Sequence, residues 1–219
     1  MKVAIKNSRT ATYIALSMGA LLLALAALTV SRTAHAAGFE VIDQPQNTSV
    51  PDKVEVLEFL WLGCPHCYAL EPSMEAWEKT KPDYVHFVRE APPLNKSWEA
   101  HSRGFYAAQS LGKESEFVAA MFDAIHEKKQ PMQDKKKIAE LAGTLGMDEE
   151  KFLATMDSFV VEGKLKRSVA MAIKAGISSV PSVIINGKYR TSTAISGGHA
   201  GVIDAINERT EFEHKAMNP

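Results

Sequence analysis

The sequence has 219 residues, 46% of them hydrophobic and 23% charged, with 25 Lys and Arg against 26 Asp and Glu. That balance fits a folded protein of one or two domains and excludes a disordered acidic chain. Four basic residues (Lys2, Lys6, Arg9 and Arg32) and no acidic ones fall in residues 1–36, leaving 21 against 26, a net charge of about −5, in the remainder; this argues against nucleic acid as a partner.

Lys2, Lys6 and Arg9 precede an apolar run from Ala11 to Val30, and Ala34-His35-Ala36 puts small residues at the −3 and −1 positions of a cleavage site before Ala37. The order predicts a secretory signal peptide over residues 1–36. An uncleaved anchor is the competing reading, since about 20 helical residues span ~30 Å of hydrocarbon. Either way the chain from Ala37 is expected in an exported compartment where disulfides persist, the periplasm if the anchor is cut.

Val54-Glu55-Val56-Leu57-Glu58-Phe59-Leu60-Trp61 carries apolar side chains at odd and even positions, the pattern of a strand covered on both faces. Tyr68, Leu70, Met74 and Trp77 then recur at helical spacing, and Tyr84–Val88 reads as a second strand, parallel to the first through a right-handed crossover. Pro92-Pro93 breaks the chain.

Residues 95–176 have helical periodicity, with core stripes at Phe117, Met121, Ala124 and Ile125, at Ile138, Leu141, Ala142 and Leu145, at Phe152, Met156 and Phe159, and at Leu165, Val169 and Ile173. Asp134 and Asp148 read as N-caps, and Gly112, Gly146 and Gly176 as C-terminal stops. Residues 183–190 read as two strands around an Asn186-Gly187 turn, a last helix carries Val202, Ile203 and Ile206, and Glu211–Pro219 reads as a fraying polar end. The expected class is α/β: β-α-β (37–94), an inserted all-helical block (95–176), then β-β-α (177–219).

The only two cysteines, Cys64 and Cys67, form a Cys-Pro-His-Cys at the strand-to-helix turn. A multi-disulfide scaffold and a four-cysteine zinc site are therefore excluded. Placed at the helix start, Cys64 meets unpaired backbone N–H groups and the positive end of the helix dipole, both of which favour its thiolate. Pro65 suits an early helical position. His66 adds a donor or a positive charge beside the sulfur. A stabilised thiolate favours the dithiol, so the disulfide form tends to pass its oxidation on.

Three plainer readings remain. A structural disulfide enclosing two residues would stabilise little. A metal half-site would have to recruit His86, His101 or His199 without zinc-like spacing. Haem attachment needs His after the second Cys, where Tyr68 stands.

The run Glu58-Phe59-Leu60-Trp61-Leu62-Gly63-Cys64-Pro65-His66-Cys67-Tyr68, with the helical insertion and the later Ser179-Val180-Pro181, is similar to the DsbA family of periplasmic thiol:disulfide interchange proteins in the thioredoxin superfamily. The resemblance implies a thioredoxin fold interrupted by a helical domain, and a cycle in which Cys64 exchanges with substrate cysteines and Cys67 is expelled. It implies no cofactor beyond the cysteine pair, newly exported or unfolded cysteine-containing polypeptides as substrates, and re-oxidation by a quinone-linked membrane oxidase of the DsbB type.

It also implies that Pro181 is a cis proline facing the sulfurs, that the Val180 backbone pairs with substrate, and that Glu58 moves protons to and from Cys67. Glu58, inside an apolar strand, is expected to have a raised pKa. Pro72 inside the first helix resembles thioredoxin more than the DsbA pattern. Trp61, Leu62, Tyr68 and the loop near His199 are candidates to frame a hydrophobic groove. The short stretch from Ala37 to Pro51 suggests a monomer, since isomerases carry a dimerisation segment there. A reductase or isomerase, and a non-catalytic peptide-binding or chaperone module, are the alternatives.

Overall fold

The computed structural model describes residues 38–218; the signal-peptide expectation for residues 1–36 lies outside the described residues. In chain order the elements are β1 (Glu40–Val41), β2 (Val54–Phe59), α1 (Pro65–Thr80), β3 (Val85–Glu90), a 3₁₀ turn (Lys96–Trp98), α2 (Glu99–Ser110), and α3 (Glu114–Phe122) continuing into a π-helical turn (Asp123–Glu127). They are followed by α4 (Lys135–Thr144), α5 (Glu149–Met156), α6 (Phe159–Lys174), β4 (Ser182–Ile185), β5 (Tyr189–Thr191), α7 (Thr193–Ser196) and α8 (His199–Met217).

The strands form one sheet in the order β1-β5-β4-β2-β3, with β2 and β3 parallel and the other pairs antiparallel. β2 is buried along its whole length, because Leu70, Met74, Val202 and Ile206 from α1 and α8 cover one face while Ala172 from α6 and Ala175 and Ile177 just beyond its end cover the other. This is the expected α/β thioredoxin-like architecture with its helical insertion. A separate apolar cluster fills the helical block and reaches the reactive turn: Phe105, Phe117, Met121 and Phe152 pack in one core with Leu60, Leu62, Cys64 and Cys67.

Local signals explain the helix ends. Asp134 accepts from the Lys136 N–H and Asp148 from the Lys151 N–H, capping α4 and α5. Asn186 and Gly187, at φ 49° and 66°, make the tight turn between β4 and β5. Among the described residues no helix is long and apolar enough to cross a membrane.

Three expectations are corrected. Phe159 is 97% and Ile173 71% exposed, because α6 buries Val161, Leu165, Ser168 and Ala172 instead; steps of four residues drift about 40° each, which turns Ile173 out of the interface. Glu211–Pro219 does not fray at Glu211: α8 runs to Met217, anchored by Glu213, whose carboxylate accepts from Asn186, Lys188 and Tyr189 Oη on the β4–β5 hairpin. Residues 95–176 are not continuously helical, since 128–134 form a connection with Lys129 and Met132 at positive φ.

Candidate active site

β2 ends at Phe59 and the chain turns through Gly63 into α1, whose N-cap is Cys64 and whose first residue is Pro65. The Cys64 N–H donates back to the Trp61 carbonyl at 2.9 Å, closing the turn. Gly63 is required for close approach: a Cβ there would lie 2.3 Å from the Trp61 indole, which is itself stacked on Trp98 at 4.6 Å between ring centroids.

Cys64 and Cys67 are both free thiols. Cys64 keeps 7% of its surface exposed and Cys67 only 1%, so an incoming sulfur can reach the first and not the second. The Cys64 thiol is drawn down from 9.0 to about 6, chiefly by a hydrogen bond from the Cys67 thiol, against the opposing effect of burial; the backbone N–H groups of Cys67 and His66 and the His66 charge add to it. The Cys67 thiol is pushed far up, first by burial and then by Cys64. Opposite shifts on two sulfurs one helical turn apart make Cys64 the thiolate and Cys67 the proton carrier.

Across the turn, Cys64 Sγ lies 3.5 Å from the Val180 carbonyl oxygen, and the Val180–Pro181 peptide bond is cis. Beneath the site, Glu58 is 1% exposed. Burial raises its pKa, although Arg89 beside it pulls the other way. Arg89 Nε donates to Glu58 Oε2 at 3.1 Å and Arg89 Nη2 to Glu71 Oε1 at 2.9 Å. Burial lifts Glu71 to about 7. One guanidinium thus serves two buried carboxyls, and a proton held by one of them removes the excess negative charge.

Of these three charged residues the sequence pattern singles out Glu58 alone; Arg89 and Glu71 emerge only from the fold. Arg89 stands directly opposite Glu58 in the parallel β2–β3 register, so a charged residue in the second strand was the available signal. Glu71 lies one turn after Cys67 on α1, on the buried side of the helix. The structure brings Cys64, His66, Cys67, Val180 and Pro181 together around one sulfur, with Pro65 and His66 exposed. Pro72 is exposed within α1, and Leu62 is wholly buried.

The family model for the DSBA-like thioredoxin domain matches residues 55–200, from inside β2 to the start of α8. The chain belongs to the DsbA family. It is 35% identical over 184 residues to the thiol:disulfide interchange protein DsbA of Pseudomonas aeruginosa, covering 83% of this chain and 87% of that one. To its counterpart in Burkholderia cepacia it is 36% identical over 200 residues, 90% of this chain and 94% of the other. The crystal structure of Pseudomonas aeruginosa DsbA superposes with a TM-score of 0.79 at 32% identity, over 83% of this chain and 95% of that one. As a DsbA-family chain with a free Cys-x-x-Cys pair at a helix start, it is a thiol:disulfide oxidoreductase.

Proposed function

We propose that this enzyme donates the Cys64–Cys67 disulfide to newly exported polypeptides in the periplasm. The observation that supports this direction is the lowered Cys64 thiol beside a Cys67 thiol held protonated by burial. A dithiol so stabilised makes the disulfide the less favoured state, and it is handed on.

In the oxidised enzyme a substrate thiolate attacks Cys64 Sγ. The S64–S67 bond breaks and its electron pair leaves on Cys67, which takes up a proton, for which Glu58 is the assigned source. A second substrate thiolate then attacks the substrate sulfur of the mixed disulfide, forming the substrate disulfide and releasing Cys64 as the stabilised thiolate. Pro65 and His66 hold and polarise the turn, while Val180 presents its backbone beside the sulfur for pairing with the substrate chain and Pro181 sets its direction.

The two electrons reside on the sulfurs, so the reaction needs no resident cofactor, and a quinone-linked membrane oxidase of the DsbB type removes them. The reacting groups come from one chain, in keeping with a monomer. Stoichiometric oxidation of a dithiol peptide by the oxidised protein, abolished in Cys64→Ser, is the expected result; a peptide left reduced by the oxidised protein, or a Cys64→Ser variant as active as the parent, contradicts the proposal.

A further inference from the structure

The helical block contributes a set of contacts to the reactive turn that the exchange chemistry does not use. α3 ends at Phe122, and Asp123–Glu127 form a π-helical turn, a feature concentrated at functional sites. From this turn His126 Nε2 comes within 2.9 Å of the Leu62 carbonyl oxygen, two residues before Cys64 and 64 positions away in the chain. A carbonyl only accepts, so Nε2 carries the proton and donates.

The same imidazole lies flat on Tyr68, the residue after Cys67, with centroids 4.8 Å apart and planes 8° from parallel. Tyr68 Oη donates to Glu127 Oε1 at 2.5 Å, and Phe122 packs on both rings at 5.8 and 5.7 Å. Of the other charged groups at the turn, Asp123 and Lys128 pair with each other at 2.6 Å and Lys129 Nζ donates to the His126 backbone carbonyl. One turn of the helical block therefore grips both ends of Cys64-Pro65-His66-Cys67: the carbonyl ahead of it and the ring behind it.

We propose that His126 is a positioning residue for disulfide exchange, fixing the Leu62 carbonyl and with it the turn that aims backbone N–H groups at the Cys64 sulfur. The helical block thereby tunes the thiolate while contributing no atom to the reacting centre. This rests on the reading of Cys64 as the reacting thiolate. Without the His126 donor, the negative end of the Leu62 carbonyl loses its partner near the sulfur and the turn loosens; both effects disfavour a thiolate whose stability depends on aligned donors.

The test uses the full chain. His126→Phe keeps an aromatic ring for Tyr68 and removes the donor, whereas His126→Gln keeps an N–H donor. Iodoacetamide alkylation of Cys64 against pH, with the melting temperature followed in parallel, separates positioning from bulk stability. In His126→Phe the alkylation midpoint is expected to rise by about half a pH unit and the equilibrium constant for oxidising glutathione to fall about threefold; His126→Gln recovers most of both.

An unchanged midpoint in folded His126→Phe, with the parent titrating near 6, overturns the inference alone. A parent that titrates as an ordinary thiol overturns the reading of Cys64 and this inference with it. If His126→Phe does not fold, ring-nitrogen spectra of the ¹⁵N-labelled parent at a pH where the imidazole is neutral decide: a proton on Nε2 supports the assignment, and one on Nδ1 overturns it.

Discussion

Cys64 Sγ and the carbonyl oxygen of Val180 lie 3.5 Å apart although 116 residues separate them in the chain. The two halves of the thioredoxin-like fold thus meet at the reactive sulfur, with the helical block inserted between them in sequence and packed beside them in space. A substrate strand laid along Val180 would bring its own cysteine to Cys64, the more exposed of the two cysteines.

From that geometry follows a trapping result. Cys67→Ser, reacted with an oxidised cysteine peptide, is expected to accumulate a mixed disulfide at Cys64, because no adjacent sulfur remains to displace the peptide. Cys64→Ser is expected to form none, the remaining sulfur being buried. Mass spectrometry of the intact adduct checks both.

The reduced enzyme's stability is expected to depend on pH in a known direction. The Cys64 thiol titrates near 6 when folded against 9.0 ordinarily, so between those values the unfolded chain binds more protons and stability rises with pH, by at most ~1.4 kcal/mol per unit. The contribution is complete above 9 and lost as pH falls through 6. Urea unfolding of the reduced and oxidised forms at pH 5 and pH 8 measures it: the gap in favour of the reduced form widens at pH 8.

Glu71 has the opposite sign. Its carboxyl is raised from 4.5 to about 7 by burial, so the folded state keeps a proton the unfolded state releases, and this group's contribution is lost as pH rises through 7. Glu71→Gln removes the titration while leaving Glu58 to pair with Arg89. The change in melting temperature on going from pH 5 to pH 8 is expected to become more favourable by roughly 3 °C or more relative to the parent.

Arg89→Met leaves two buried carboxyls without their shared cation. A loss of about 3–5 kcal/mol at pH 7 is expected, and a smaller one at pH 5, where Glu58 and Glu71 take up protons instead. Denaturant titration at the two pH values reads the difference.

How much of this was legible in the sequence varies with the range of the interaction that fixes each residue. The Cys64-Pro65-His66-Cys67 turn, the buried β2 strand and the Asp134 and Asp148 caps depend on neighbours within a few positions, and the linear pattern carries them. Arg89 and Glu71 matter because folding sets them against Glu58, across 31 and 18 residues from Arg89 to its two partners. His126 gave no local sign, since its π-helical turn and its reach to Leu62 are tertiary. Gly104 in α2 likewise matters through tertiary contact, since a Cβ there would meet Phe117 and Ile138 at 2.8 and 2.9 Å: the glycine marks a close packing contact. Glu213 reads as part of a polar tail for the same reason, its three donors being 24 to 27 residues away.

The most direct test of the account is an equilibrium titration of the Cys64–Cys67 pair against mixtures of reduced and oxidised glutathione. The pair is expected to be reduced by small amounts of reduced glutathione even when oxidised glutathione is in excess, as a disulfide donor must be. A pair that stays oxidised in a large excess of reduced glutathione would contradict it.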